Sequence, residues 1–154
     1  GVWKGRTINY LSMFVKKIYG FDSFKGLRED WVGVENKPKG KFDLGEKLPQ
    51  LNNNVFPVKG WIQDTLDNFL QEKKPKIKFI HIDVDTYETT KFILEKTKPY
   101  MSKNTIILFD EFYNFPGWDV GEYKALREVF SEDQYKFLAF SMKGQQVAIE
   151  VTPN

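Results

Sequence analysis

The stretch IKFIHIDVDTYETTKFILEKTKP, residues 77–99, decides the architecture. Ile77–Ile82 is an apolar run rich in isoleucine, the pattern of a strand buried on both faces in a parallel sheet. Two aspartates follow, and the spacing then turns helical from Tyr87 to Lys98, where Pro99 ends it. Strand, acidic turn and helix make one βα unit, and the unit repeats outward in both directions. Downstream, Thr105–Phe109 reads as a second buried strand and Asp119–Phe130 as a helix with Val120, Tyr123, Leu126 and Val129 on one face. Upstream, Ile8, Leu11, Phe14, Val15 and Ile18 recur at helical spacing and predict a helix over roughly Lys4–Lys16. Ile18–Phe21 is a short strand; Val55–Val58 is another, cut off by Gly60. Trp61, Ile62, Leu66, Phe69 and Leu70 form the stripe of a helix that stops before Pro75. Tyr135–Phe140 and Gln146–Val151, joined by a turn at Lys143–Gly144, predict a C-terminal antiparallel hairpin. The expected class is therefore α/β, with a mainly parallel sheet and helices on both faces.

A length of 154 residues suits one domain over 1–154 with a core of its own. The 41% hydrophobic content excludes a disordered chain. Fourteen Phe, seven Tyr and four Trp are more rings than a core of this size needs, so some are free to line a pocket. A net charge of +2 with interspersed signs leaves no footprint for nucleic acid or an anionic membrane, and neither is expected as a partner. The lysines of 73–78 are split by Pro75 and read as a solvated strand entrance. Absence of cysteine removes disulfide and thiolate chemistry. No apolar run is long enough for a membrane span, and the expected location is cytoplasmic. From about 23 to 54 the periodicity gives way to Gly, Lys, Pro and Asn, predicting a long lid-like loop.

In an open parallel sheet, ligands bind beyond the carboxyl ends of the strands. The acids stand there: Asp22 after the first strand, Asp83 and Asp85 after the Ile-rich one, Asp110 and Glu111 after the next. Like charges gathered in one place are costly unless a cation or ligand compensates. Asp83 and Asp85, two apart, would point the same way along a continuing strand and suit a hard divalent cation such as magnesium. The plain alternative for Asp85 is a capping box with Glu88, and Asp119 with Glu122 has the same spacing and takes that plain reading. His81, the lone histidine, reads as a partly buried, hydrogen-bonded ring. The aromatic loop Phe112–Trp118 is either lid packing or a substrate wall. The G-x-G-x-x-G of hydride-transfer enzymes is missing. Gly1 and Gly5 instead make a wider G-x-x-x-G at the mouth of the first helix, and Asp22 follows at the distance usual for an acid that grips ribose hydroxyls.

The blocks GVWKGRTINYLS, YGFDSFKGLREDW, GKFDLGEKLP, VKGWIQDTL, HIDVDTYETTKFILEKTKP and ILFDEFYNFPGWDVGEYKAL together resemble the macrocin-O-methyltransferase-like family of class I S-adenosylmethionine-dependent methyltransferases, in the family's order from Gly1 to about Phe140. The resemblance implies a Rossmann-like sheet with a reversed final strand, and S-adenosylmethionine as cofactor. It implies cofactor contacts at Gly1, Gly5, Asp22, Ser23, Gly60 and Trp61. By the same resemblance Asp83, Asp110 and Glu111 would hold Mg2+, and Asp85 would be the catalytic base. Family members that use magnesium carry two adjacent aspartates where this chain has Asp110-Glu111. The first strand of the usual fold is missing from this chain, which begins at Gly1 within the glycine motif and reads as N-terminally incomplete. The implied reaction is O-methylation of a sugar-like or phenolic hydroxyl on a small molecule; a homodimer that repairs the sheet is the partner expectation that goes with the missing strand.

Two other readings compete. D-x-D after a buried strand also marks metal-dependent glycosyltransferases; phosphatases of the haloacid-dehalogenase type would want Thr where Tyr87 stands. Neither explains the glycine loop with Asp22. The other reading is a non-catalytic, incomplete cofactor-binding fragment, because a missing central strand would leave a gap between its neighbours.

Overall fold

A computed structural model describes residues 1–31 and 37–152; residues 32–36 of the expected 23–54 loop, and 153–154, lie outside the described residues. The elements alternate as β1 (Ile18–Asp22), β2 (Val55–Lys59), β3 (Ile77–Ile82), β4 (Met101–Phe109), β5 (Tyr135–Phe140) and β6 (Val147–Val151), with α1 (Arg6–Ser12) ahead of β1, α2 (Ile62–Lys73) between β2 and β3, α3 (Tyr87–Thr97) between β3 and β4, and α4 (Glu122–Val129) between β4 and β5. β1 and β2 pair in parallel, as do β3 and β4. β6 runs antiparallel to both β4 and β5, giving the order β3-β4-β6-β5. The expected α/β class and the terminal hairpin are both present.

β1 and β3 are not hydrogen-bonded to each other, so the strands fall into a pair and a group of four. Between them runs an apolar hollow of about 400 Å3, lined by Ile18 and Phe21 on one side and by Phe79 and Ile82 on the other, with Leu66 and Phe69 of α2.

The larger core lies on the four-stranded side. Ile82, Ile107, Phe109, Val147, Ile149 and Val151 from the strands meet Ile93 and Leu94 of α3 and Leu126 of α4. Leu94 and Leu126 are fully buried, so truncating either to alanine costs about 2–5 kcal/mol. A smaller cluster joins Val2 and Ile8 to Phe24 and Val55. There the sheet accepts α1 closely because Gly20 has no side chain: a Cβ would meet Ile8 and Val2 at 2.5 and 2.7 Å.

Two helices differ from the sequence expectation. α1 spans seven residues, not thirteen, and Phe14 and Val15 are exposed beyond its end. Their periodicity is real, but the chain has already turned toward β1. The expected helix over Asp119–Phe130 is broken at Gly121, with a short 3-10 turn over Trp118–Val120 before α4 begins at Glu122.

Candidate functional site

The parallel strands deliver their carboxyl ends to one rim. A cavity of about 340 Å3 opens there, and Asp22, Asp83, Asp85, Asp110 and Glu111 all line it. Gly1, Ser23, Gly60 and Trp61 line it too, so nine of the ten residues singled out by sequence share one hollow. Gly5 does not line it. It sits at the start of α1 with φ +79°, and a Cβ would press on Leu51 at 3.0 Å; its role here is backbone shape. Gly1 is packed so tightly against Asp83 that a Cβ would collide with its carbonyl oxygen.

Asp22 organises the glycine loop. Its Oδ2 accepts hydrogen bonds from the backbone N–H groups of Val2 and Trp3, both at 2.8 Å, and Oδ1 accepts from Phe24 N–H at 2.7 Å. One carboxylate thus ties the segment before α1 to the end of β1. Trp61 follows the end of β2, with the Arg28 guanidinium 5.7 Å from its ring centre. Leu27, Arg28, Lys37 and Phe42 of the long loop also line the cavity. Leu27, Arg28 and Phe42 fall inside the family-like blocks and Lys37 outside them, but loop residues without periodicity give no sign of which way they face.

The acidic turn is sharper than a continuing strand. β3 ends at Ile82, Thr86 N–H donates to Val84 C=O at 2.7 Å, and Asp85 takes φ +62°. A left-handed non-glycine residue costs of order 1 kcal/mol and concentrates at functional sites. The turn brings Asp83, Asp85 and Glu111 together, one oxygen of each lying within 4.8 Å of the others. Asp110 faces the same cavity, but its Oδ1 lies 3.6 Å from His81 Nε2 and accepts from Gln146 Nε2 at 3.4 Å. The geometry therefore groups Asp85, rather than Asp110, with Asp83 and Glu111. His81, 11% exposed and beside Asp110, fills the partly buried role its strand position implies.

Neither capping box forms. Thr86, not Asp85, caps α3, without a side-chain bond, and Gly121 caps α4. Glu122 consequently departs from the plain reading. It is 1% exposed, its Oε2 accepts from Glu111 N–H at 3.0 Å, and its Oε1 has no hydrogen-bond partner among the described residues. The sequence signal for it was there, an acid at the head of a helix after an acid pair, but the same spacing fits a surface cap.

Burial sets the electrostatics. Asp85 is pushed up to about 6 by burial and by Asp83, with Lys37 and the amino terminus opposing. Glu111 is pushed up to about 10 by burial, then by Glu122, Asp85, Asp110 and Asp83. Asp110 is held low by its hydrogen bond with His81. Burial also raises Glu122 well above its ordinary 4.5. The folded chain therefore binds a proton at Glu122 that the unfolded chain releases, so Glu122 takes away stability as pH rises above about 4.5. Glu122→Gln keeps the acceptor for Glu111 N–H and removes the titration. Its melting temperature in chelator should exceed wild type by about 2–4 °C per kcal/mol gained at pH 7–8, and the difference should shrink at pH 5. Scanning calorimetry across that range checks it.

The trio's donors fit a hard divalent cation: all are carboxylate oxygens, and opposite ligands of one such ion lie about 4–5 Å apart. Glu111 Oε2 is buried without a hydrogen-bond partner among the described residues, an arrangement a cation would satisfy.

A rim of carboxylates over a nucleoside-sized hollow, on a mainly parallel sheet with a reversed last strand, defines a nucleotide-type cofactor enzyme of the α/β class. The family model described as "Methyltransferase domain" matches residues 1–112, and the chain belongs to that family, the S-adenosylmethionine-dependent methyltransferases. This removes the glycosyltransferase reading. Among solved structures the chain is similar to CalS11, a calicheamicin methyltransferase, at 23% identity and TM-score 0.79, covering 97% of this chain and 69% of that one. It also resembles the O-methyltransferase NovP at 18% identity and TM-score 0.65, covering 99% and 69%. An rRNA methylase from Streptococcus thermophilus shares the fold at 15% identity and TM-score 0.56, covering 98% and 84%. No curated protein matches the chain. No helix among the described residues is long and apolar enough to cross a membrane.

Proposed function

We propose that this methyltransferase domain O-methylates a hydroxyl on a small molecule, with a divalent cation held by Asp83, Asp85 and Glu111 and with Asp110 beside them. The observation that carries the reading is the meeting of those three carboxylates at the rim of the hollow that Asp22 and Trp61 also line. Bound S-adenosylmethionine supplies an electrophilic methyl group, and a bound Mg2+ would lower the pKa of a hydroxyl beside it. The protein's own residues do the rest. Asp22 and Ser23 offer acceptors for ribose hydroxyls, and Trp61 offers a face for adenine. Gly1 and the loop before α1 border the methionine end. Asp85, half ionised near pH 6, accepts the hydroxyl proton as the oxygen attacks. Holding the two reactants in line is itself a large share of the acceleration.

The near-neutral charge of the chain favours a small acceptor over RNA, although a fold relative is an rRNA methylase. Phe115 of the aromatic loop lines a hollow that adjoins the cofactor cavity and does not line the cofactor cavity itself, which suits an acceptor wall.

Two measurements test the reading. Calorimetric titration with S-adenosylhomocysteine should show binding; none at millimolar concentration would make the chain a non-catalytic shell. Proton and cation compete for the same carboxylates, so turnover should fall as pH drops toward about 6, and raising Mg2+ should move that acidic limb lower. A limb indifferent to Mg2+, with activity surviving chelator, removes the cation from the mechanism.

A further inference from the structure

β4 ends at Phe109, and the chain leaves the sheet through Asp110, Glu111 and Phe112. Each of these residues needs an acceptor for its backbone N–H, and each finds a different kind. Asp110 N–H donates to Ile82 C=O at 3.0 Å, extending the β3–β4 ladder by one residue. Phe112 N–H donates to Gln145 C=O at 3.0 Å, in the connection between β5 and β6. Between them, Glu111 N–H is met by a side chain, Glu122 Oε2, also at 3.0 Å.

Glu122 stands where packing alone would want an apolar residue. As the first residue of α4 it shares a face with Ala125 and Leu126, both fully buried, and it is buried itself. A buried carboxyl costs free energy that an apolar side chain would not, the more so because Oε1 has no hydrogen-bond partner among the described residues. The amino end of α4 offsets only part of that cost. What the carboxyl does is hold one amide, and that amide belongs to a member of the cation trio. Asp110 and Phe112 would stay attached to the sheet without it. The Asp110–Glu111 peptide plane between them would lose its one fixed partner and be free to rotate, carrying the Glu111 side chain with it.

We infer that Glu122 is a positioning residue for the cation site: by holding the Glu111 N–H, its Oε2 fixes the peptide plane that aims the Glu111 carboxyl at Asp83 and Asp85. This deepens the cation-assisted reading and rests on it. Glu122 does not line the cofactor cavity and acts through Glu111. An acid and a carboxylate both present an acceptor oxygen, so the tether holds in either protonation state.

The test compares wild type with Glu122→Met, which removes the acceptor at similar length, Glu122→Gln, which keeps it, and Glu122→Asp, which withdraws it by one methylene. Each chain is titrated calorimetrically with S-adenosylhomocysteine and then with Mg2+ at one fixed pH, and its melting temperature in chelator shows that it is folded. Glu122→Met and Glu122→Asp should bind Mg2+ about tenfold or more weakly, and Glu122→Gln within about twofold of wild type. S-adenosylhomocysteine affinity should stay within about twofold throughout. Amide exchange at Glu111, followed by NMR in chelator, should be fast in Glu122→Met and slow in Glu122→Gln. A residue that serves folding alone would move the melting temperature and leave the Mg2+ affinity where it was. The inference is overturned if Glu122→Met, or Glu122→Asp should the former not fold, binds Mg2+ as wild type does. It is overturned equally if Glu122→Gln is as weak as Glu122→Met, or if S-adenosylhomocysteine affinity falls in step with that for Mg2+. A wild-type chain that takes S-adenosylhomocysteine but no Mg2+ removes the cation and this role of Glu122 together, and leaves cofactor binding standing. Failure of the S-adenosylhomocysteine titration sinks the methyltransferase reading separately, and the Mg2+ comparison among the four chains still decides the role of Glu122.

Discussion

Asp85→Asn should lower methyl transfer by about 10²–10⁴-fold while S-adenosylhomocysteine binds within about twofold of wild type. The amide is nearly isosteric, so the left-handed turn at Asp85, which asparagine tolerates as well as aspartate, is kept. What is lost is a carboxylate whose proton affinity burial and Asp83 bring to about 6, close to neutrality. Loss of one cation ligand adds to the effect. The two contributions separate in the Mg2+ dependence: if excess Mg2+ restores most of the turnover, Asp85 acts as ligand alone and the base lies elsewhere. Turnover unchanged from wild type would remove Asp85 altogether.

Asp22→Ala should be the most damaging change to cofactor binding. Three backbone N–H groups converge on this carboxylate, and hydrogen bonds to a charged group are worth about 1.5–3 kcal/mol each when their partner is removed. They are not independent, so the expected loss is about 2–5 kcal/mol, or about 5–15 °C in melting temperature for a chain of this size. The loop carrying Val2 and Trp3 would detach from β1, and S-adenosylhomocysteine affinity should fall by about 100-fold. Asp22→Asn retains acceptor oxygen for part of the network and should fold near wild type. If the Asp22→Asn variant binds S-adenosylhomocysteine with full affinity, Asp22 is a loop tether and nothing more.

Much of this fold is legible in the sequence because the strands are short and largely apolar. β3 matches its expected range, Ile77–Ile82, and the helix after it starts at Tyr87 as the spacing implies. The misjudged pieces share one cause: periodicity reports which residues dislike water, not where the backbone turns. Phe14 and Val15 continue a helical rhythm after α1 has ended, and Gly121 interrupts a rhythm that runs on through it. The site shows the same division. Placing acids at strand ends needs only the parallel-sheet rule, and it brought Asp22, Asp83 and Asp110 to one rim. Which oxygens meet depends on the turn at Asp85, a backbone choice no composition reveals. Glu122 shows the limit most clearly, since D-x-x-E at a helix start describes a solvated cap and a buried carboxyl equally well until burial is known.

The division of the described strands into a pair and a group of four bears on how ligand and stability are linked. The cofactor hollow draws Asp22 and Trp61 from the two-stranded side and Asp83 and Asp110 from the four-stranded side. A molecule gripping both ties the two groups of described strands together. Saturation at about 100 times the dissociation constant adds about 2.7 kcal/mol to the native state. That increment should register first as slowed deuterium uptake along the amides of Ile18–Asp22 and Ile77–Ile82, ahead of any change in the hairpin.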